Sequence, residues 1–395
     1  MNLFEEFGLS HELLTSIKEL GITTPTQIQG LSIKDIISGK DIIGESATGS
    51  GKTLAFGCGI VEQIMPKEGL QAMILTPTRE LAEQVKGSLR QLSNKKGLNV
   101  TSVCGGAAIN PQVKDLLRAE VVVATPGRLL DHLRRGSVNL SKIKLLVLDE
   151  ADRMFDMGFI EDVEKIIHAC PKKRQTLFFS ATISMRVRDL AKMYMVDPKK
   201  VSAVNQVDPS KLKQVYYDLQ RNMKLSLLAH LLQQEKSGLV MVFCNTRRNT
   251  DFVTKTLRAN RINAISVHGG LSQNKRNRTI ELFNGAKVGV LVCTDVAARG
   301  LHIDNVSHVY NYDLPKDAKD YVHRIGRTAR AGEEGKAVSL LCDFDYPNFS
   351  RIQEEYPGFV IDKMERPYIQ KLAVMRMDNQ RRPPFRRGNS GFRRR

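Results

Sequence analysis

The sequence predicts an α/β protein of two tandem doubly wound parallel-sheet domains followed by a disordered basic C-terminal tail. Three observations carry that expectation. Short β-rich runs alternate with helical patterns along most of the 395 residues, as strands and crossover helices do in parallel sheets. The alternation restarts after about residue 205. From about residue 364 the chain turns rich in Arg, Pro and Gly, a composition that buries no core. The expected boundaries are therefore 1–205, 206–363 and 364–395.

The elements follow in order. Runs 72–75, 121–124, 145–148 and 176–179 are nearly all apolar, as strands covered on both faces must be. Residues 79–92 place Leu81, Val85, Leu89 and Leu92 at spacings of four, four and three, which predicts a helix. The polar stretch 202–213, with Pro209 inside it, reads as the linker. Runs 239–244, 264–267, 288–293, 308–312 and 337–341 supply the second set of strands.

Composition excludes several classes. Hydrophobic residues at 42% and charged residues at 26% rule out wholesale disorder, a collagen-like fibre and a coiled-coil rod. No apolar run approaches the roughly 18 residues needed to span a bilayer. The start Met1-Asn2-Leu3-Phe4-Glu5-Glu6 lacks the basic and apolar regions of a signal peptide. A cytoplasmic chain without a membrane partner is expected. The six cysteines contain no C-x-x-C pair and read as buried, reduced thiols. Sixty Lys and Arg face 42 Asp and Glu, a net charge of +18. Residues 364–395 hold 10 basic and 2 acidic residues, so the excess lies in both body and tail. That balance serves solubility or points to a polyanion such as nucleic acid.

The most specific local signal is Ser46-Ala47-Thr48-Gly49-Ser50-Gly51-Lys52-Thr53, after an apolar run and before a helical pattern. Glycines let backbone N–H groups curl around phosphate oxygens. Lys52 is expected to reach the β- and γ-phosphates and the Thr53 hydroxyl to bind Mg²⁺. Ser46 stands where the strict pattern has glycine. Downstream, an apolar run ends in Asp149-Glu150-Ala151-Asp152. Asp149 can hold the metal shell with Thr53, and Glu150 can orient or deprotonate an attacking water.

Asp149-Glu150-Ala151-Asp152 spells the signature of the DEAD-box RNA helicases of superfamily 2, and the chain resembles that family over about residues 1–345. Pro77-Thr78-Arg79 resembles motif Ia, Gly105-Gly106 the glycine doublet, Thr125-Pro126-Gly127-Arg128 motif Ib and Ser180-Ala181-Thr182 motif III. Val242-Phe243-Cys244-Asn245-Thr246 resembles motif IV, and Gln273 with Arg276 and Phe283 motif IVa. Thr294 to Leu301 resembles motif V and His323 to Arg330 motif VI. Residues 21–29 resemble the Q motif, the N-terminal part of the first domain. Ala107-Ala108-Ile109-Asn110-Pro111-Gln112 is similar to the bacterial RhlE-like branch.

The resemblance implies two RecA-like domains with ATP in a cleft between them. It places Gln29 on the adenine edge and Phe4 on its face, with core packing as the other reading of Phe4. Ser46 to Thr53 hold the phosphates, and Lys52, Asp149 and Glu150 act with Arg327 and Arg330 as arginine fingers. It assigns Pro77, Thr78, Arg79, Gly105, Gly106, Thr125, Gly127, Arg128, Arg276 and Thr294 to the RNA backbone. Asp152, Ser180, Thr182 and His323 would couple ATP state to RNA state. Three departures stand out: Ile22, Ala329, and His302 where motif V usually continues with Asp, so the ribose contact is not carried over. The implied activity is RNA-stimulated ATP hydrolysis coupled to local, non-processive separation of RNA duplexes or remodelling of RNA–protein complexes. The cofactors are ATP and Mg²⁺. The partners are single-stranded and short duplex RNA with little sequence specificity, and the chain is a functional monomer. Ribosomal or RNA-decay partners are open. The alternative is an ATP-gated RNA clamp without productive unwinding.

Overall fold

The structure is a computed structural model that describes residues 3–46, 49–203, 212–234, 238–298, 303, 306–329 and 334–372. Of the residues singled out above, Met1, Asn2, Ala47, Thr48, Pro209, Leu301, His302 and Arg330 lie outside the described residues, as does the chain from residue 373.

The first unit opens with a 3-10 turn (Leu3–Phe7), then α1 (His11–Glu19), α2 (Gln27–Ile37), β1 (Ile42–Ser46) and α3 (Lys52–Gln63). It continues through β2 (Ala72–Leu75), α4 (Arg79–Leu92), β3 (Val100–Val103), α5 (Ile109–Leu116), β4 (Val121–Ala124) and α6 (Pro126–Arg134). It closes with β5 (Leu145–Asp149), α7 (Ala151–Asp156), α8 (Ile160–His168), β6 (Gln175–Ser180), α9 (Met185–Tyr194) and β7 (Lys199–Ala203). The seven strands lie in the order β3-β4-β2-β5-β6-β1-β7 and pair in parallel throughout.

Strand side chains alternate between two faces, and both faces are covered. Ile42, Leu145, Val147 and Phe179 enter one core with Phe56, Val85 and Leu89. Their chain neighbours Ile43, Leu146, Leu148 and Phe178 enter a second core with Leu129, Ile166 and Leu190. This is why these strands read as unbroken apolar runs. The edge strand β7 is different, because Lys199 and Lys200 are exposed on it. Charge on an edge blocks pairing with other chains.

The second unit repeats the plan with β8 (Leu212–Asp218), a 3-10 turn (Arg221–Met223), α10 (Lys224–Gln234), β9 (Leu239–Phe243), α11 (Arg247–Ala259) and β10 (Ala264–Val267). Then come α12 (Gln273–Asn284), β11 (Val290–Cys293), α13 (Asp295–Ala298), β12 (Val306–Asn311) and α14 (Ala318–Ile325). It ends with β13 (Gly335–Leu341), α15 (Tyr346–Glu355) and β14 (Ile361–Met364). Its sheet runs β10-β11-β9-β12-β13-β8-β14. Val240, Val242, Val292, Tyr310 and Leu340 pack with Leu227, Val253 and Leu257 in its core.

Two sequence expectations shift. Strands occupy both ends of the polar stretch 202–213, since β7 runs to Ala203 and β8 begins at Leu212. Their mixed exposure, typical of strands near a sheet edge, hid them. The residues assigned to the basic tail from 364 onward are held as far as Leu372. Met364 closes β14, Ile369 and Leu372 pack on the second core, and the Leu372 N–H donates to Ser226 Oγ at 3.0 Å. Among the described residues no helix is long and apolar enough to cross a membrane.

Candidate active site

The phosphate loop connects β1 to α3. Gly51 caps α3 at φ 92°, and a Cβ there would overlap the Gln29 carboxamide, so only glycine fits. Lys52 is buried, and its Nζ donates to the Ser46 carbonyl at 3.1 Å. Ser46, the residue that breaks the strict pattern, ends β1 with a buried side chain that accepts from Ser50 Oγ at 3.0 Å. The Q-motif residues grip this loop from the side. Thr26 Oγ1 donates to the Ser50 carbonyl at 2.7 Å, and Gln29 Nε2 to the Gly51 carbonyl at 3.0 Å. Gln29 Oε1 also accepts from the Thr26 N–H at 2.8 Å, closing the capping box of α2. A carboxamide carries two donors and two lone pairs, so one of each remains for a base edge.

A pocket of about 350 Å³ opens beside the loop. Gln29, Gly49, Gly51, Lys52, Thr53, Asp149 and Glu150 line it, with Ile22, Leu81 and Val85 among its apolar residues. Phe4 does not. It is wholly buried in the first core, with Phe7 edge-on at 5.7 Å. Ile22, noted above only as a departure, lines the pocket instead.

Asp149 ends the buried strand β5, and Glu150 follows in the left-handed region at φ 53°. A non-glycine residue there costs about 1–2 kcal/mol, strain of a kind that gathers at functional sites. The turn is held by the Glu150 N–H donating to Asp149 Oδ1 at 3.0 Å. Burial pushes the Asp149 carboxyl up to about 6, with Lys52 pulling the other way. A raised carboxyl contributes stability that is present at acid pH and lost as pH rises through about 6. Asp149→Asn, which resembles the protonated form, is therefore expected to melt a few degrees higher than wild type at pH near 7.5, without nucleotide. A lower melting temperature in differential scanning fluorimetry would contradict that reading.

A buried carboxylate of this kind suits a hard divalent cation, and Mg²⁺ takes one or two protein oxygens plus phosphates. Asp149 and Thr53 line the same pocket, so the donors present fit that ion. Among the described residues no group of three or more His, Cys, Asp or Glu could hold a metal.

Asp152 opens a hydrogen-bonded cluster. Its N–H donates to Ser180 Oγ at 3.2 Å, and Ser180 Oγ donates on to the Thr182 carbonyl at 2.8 Å. Thr182 returns two bonds to Asp152 Oδ2, from N–H at 3.2 Å and from Oγ1 at 3.0 Å. Three of the four expected coupling residues thus form one knot. Sheet order explains it, because β6 lies between β5 and β1 and carries Ser180 to the middle of the site.

The first-unit residues assigned to RNA gather at the ends of β2, β3 and β4. Thr78, after Pro77, caps α4 by accepting from the Leu81 N–H at 3.3 Å. Arg79 begins that helix and lies against Gly106, whose φ of 74° favours glycine. Arg128 Nη1 donates to the carbonyl of Ala107, just past Gly105-Gly106, at 2.9 Å. Thr125 follows β4 and is buried, with Pro126 and Gly127 starting α6.

In the second unit Thr294 is buried at the end of β11, Arg276 lies on α12, and Arg327 is buried just after α14. His323, on α14, has Nδ1 3.9 Å from Asp320 Oδ1. The residue that organises this unit went unnoticed in the sequence. Arg324 is 1% exposed and reaches both oxygens of Asp295, at 2.6 and 2.7 Å. It also donates to the Asp313 carbonyl at 2.6 Å and to Asn245 Oδ1 at 2.9 Å, beneath the Phe243 ring. One guanidinium therefore pins motifs IV, V and VI together. The signal was available: Arg324 shares the buried face of α14 with Ala318, Tyr321 and Ile325.

A phosphate loop, an acidic strand end and a hydroxyl–carboxylate knot on one doubly wound sheet define a nucleotide-dependent P-loop enzyme of the helicase class. Two family models match the chain. Residues 26–190 match the DEAD/DEAH box helicase family and 223–332 the helicase conserved C-terminal domain. The chain belongs to the DEAD-box helicases. It is 43% identical over 348 residues to the ATP-dependent RNA helicase CshA of Limosilactobacillus reuteri, covering 87% of this chain and 70% of that one. It is 39% identical over 389 residues to the DEAD-box ATP-dependent RNA helicase CshA of Bacillus cereus, covering 96% and 74%. Among solved structures, S. cerevisiae Dbp5 bound to RNA and ADP BeF3 superposes with a TM-score of 0.83 at 30% identity, over 92% of this chain and 96% of that one.

Proposed function

We propose that this helicase hydrolyses ATP in step with RNA binding and separates short RNA duplexes locally. One observation supports the reading most. The carboxyl ends of one sheet carry Arg79, Gly106 and Arg128 after β2, β3 and β4, and the nucleotide pocket at β5 and β1. The Asp152–Ser180–Thr182 knot joins the ends of β5 and β6, and β5 is the neighbour of β2, so a shift of the knot at the pocket can reach the strand that leads to Arg79.

In this proposal Gln29 holds the base and Lys52 the phosphates, and Glu150 positions the attacking water. Asp149 and Thr53 would hold the Mg²⁺ delivered with ATP, and the ion would supply positive charge against the phosphates. Arg327 and Arg330 act as arginine fingers, a device worth about 10³–10⁵ in rate. Arg79, Arg128, Arg276 and Thr294 hold sugar and phosphate, which positions a strand without reading its bases. Discrimination against DNA rests on the 2′-OH. His323 is the fourth coupling residue. The chain works in the cytoplasm as a monomer.

Steady-state ATP hydrolysis measured alone, with single-stranded RNA and with DNA of the same sequence tests this. Stimulation by RNA alone is expected. Equal rates under all three conditions would mean that the site assembles without RNA, and the coupling would be abandoned.

A further inference from the structure

The second sheet repeats the strand order of the first, so β8, β12 and β13 hold the places of β1, β5 and β6. The first unit keeps its nucleotide pocket at the carboxyl ends of those strands, where ligands gather in open α/β sheets. The second unit has a pocket at the corresponding ends, of about 500 Å³, lined by Arg221, Asn222, Asn249, Phe252, Tyr312 and Phe344, among others. The correspondence reaches the lysine: α10 begins at Lys224 as α3 begins at Lys52.

Lys224 is committed elsewhere. Its Nζ lies 2.5 Å from Asp345 Oδ2 and 3.0 Å from the Tyr312 carbonyl, and the pair is buried. A lysine neutralised in this way cannot gather a polyphosphate. The pocket offers a different surface. Phe344 is 74% exposed, and the Arg221 guanidinium sits 5.6 Å from its ring centroid. Exposed aromatic rings stack bases, and a neighbouring arginine adds charge for phosphate. Asn222 and Asn249 bring amide groups to the same pocket.

We infer that this pocket is a second, non-hydrolysing nucleotide site, which stacks one base on Phe344 and sets its phosphate on Arg221. The nucleotide comes either from a bound RNA strand or from the free pool. Only the first source rests on the RNA binding proposed above.

The full chain would be photocrosslinked to single-stranded RNA carrying iodouridine and, separately, to azido-AMP, with the attached peptides mapped by mass spectrometry. Attachment of RNA at Phe344, with Phe344→Ala lowering RNA affinity about tenfold, identifies the strand as the source. Attachment of azido-AMP at Phe344, lost in Phe344→Ala, identifies the free nucleotide. ATP hydrolysis without RNA should be unchanged in Phe344→Ala, because the ring lies outside the hydrolytic pocket. If both probes attach only elsewhere and Phe344→Ala leaves RNA affinity unchanged, the inference is overturned. A wild-type chain that binds no RNA at all would end the RNA reading, and azido-AMP would then decide the pocket by itself.

Discussion

Glu150→Gln is expected to lower RNA-stimulated turnover by about 10²–10⁴-fold while leaving ATP and RNA binding intact. The substitution keeps the size of the side chain and removes its capacity to take a proton. The backbone it sits on should persist, because the Glu150 N–H is held by Asp149 Oδ1. Glutamine meets the same left-handed strain at φ 53° as glutamate does, so stability should change little. Lys52, Thr53 and Asp149 still line the pocket in which the nucleotide is proposed to bind. The variant should therefore accumulate with ATP and RNA bound. Single-turnover hydrolysis and the RNA dissociation rate in ATP measure both halves. Normal turnover would remove Glu150 from the chemistry.

Arg324 carries the second large effect. Arg324→Ala should destabilise the second unit by about 3–5 kcal/mol, the usual cost of removing one partner of a buried ion pair. Asp295 would keep its charge without its fork, and Asn245 and the Asp313 carbonyl would lose a donor. Arg324→Lys is the sharper test. A lysine keeps the charge but offers no planar fork, so it cannot bridge Asp295, Asn245 and the Asp313 carbonyl in the same way. It should fold, unfold at lower denaturant than wild type, and lose RNA stimulation, because Thr294 and Arg327 sit on the segments it ties together. Wild-type unfolding and wild-type stimulation in Arg324→Lys would show that the network is not what sets those segments.

Much of this was legible in the chain itself. Strands buried on both faces are apolar at most positions, and so β2, β4, β5 and the middle of β6 stood out. The phosphate loop was legible because glycine is needed where the backbone turns left-handed and where another group presses close, as at Gly51 beside Gln29. Strands with mixed faces were harder. β7 and β8 hid in the polar stretch between the units because their exposed positions look like linker. Leu372 and Ile369 hid in a basic tail because two apolar residues carry no periodic signal.

Side-chain roles divide in the same way. The sequence by itself determined which backbone and side-chain chemistry is present: a loop for phosphate, an acid pair, a hydroxyl motif and a surplus of cations. Local residue order sufficed, since each device is built from neighbours in the chain. Only the tertiary structure decided how the distant pieces are used. It sent Phe4 into the core and brought Ile22 to the pocket. It knotted Asp152 to Ser180 and Thr182 across adjacent strands, and made Arg324 the pin of the second unit. Those outcomes depend on which strands lie side by side and which volumes remain to be filled, and neither is written in any one stretch of chain.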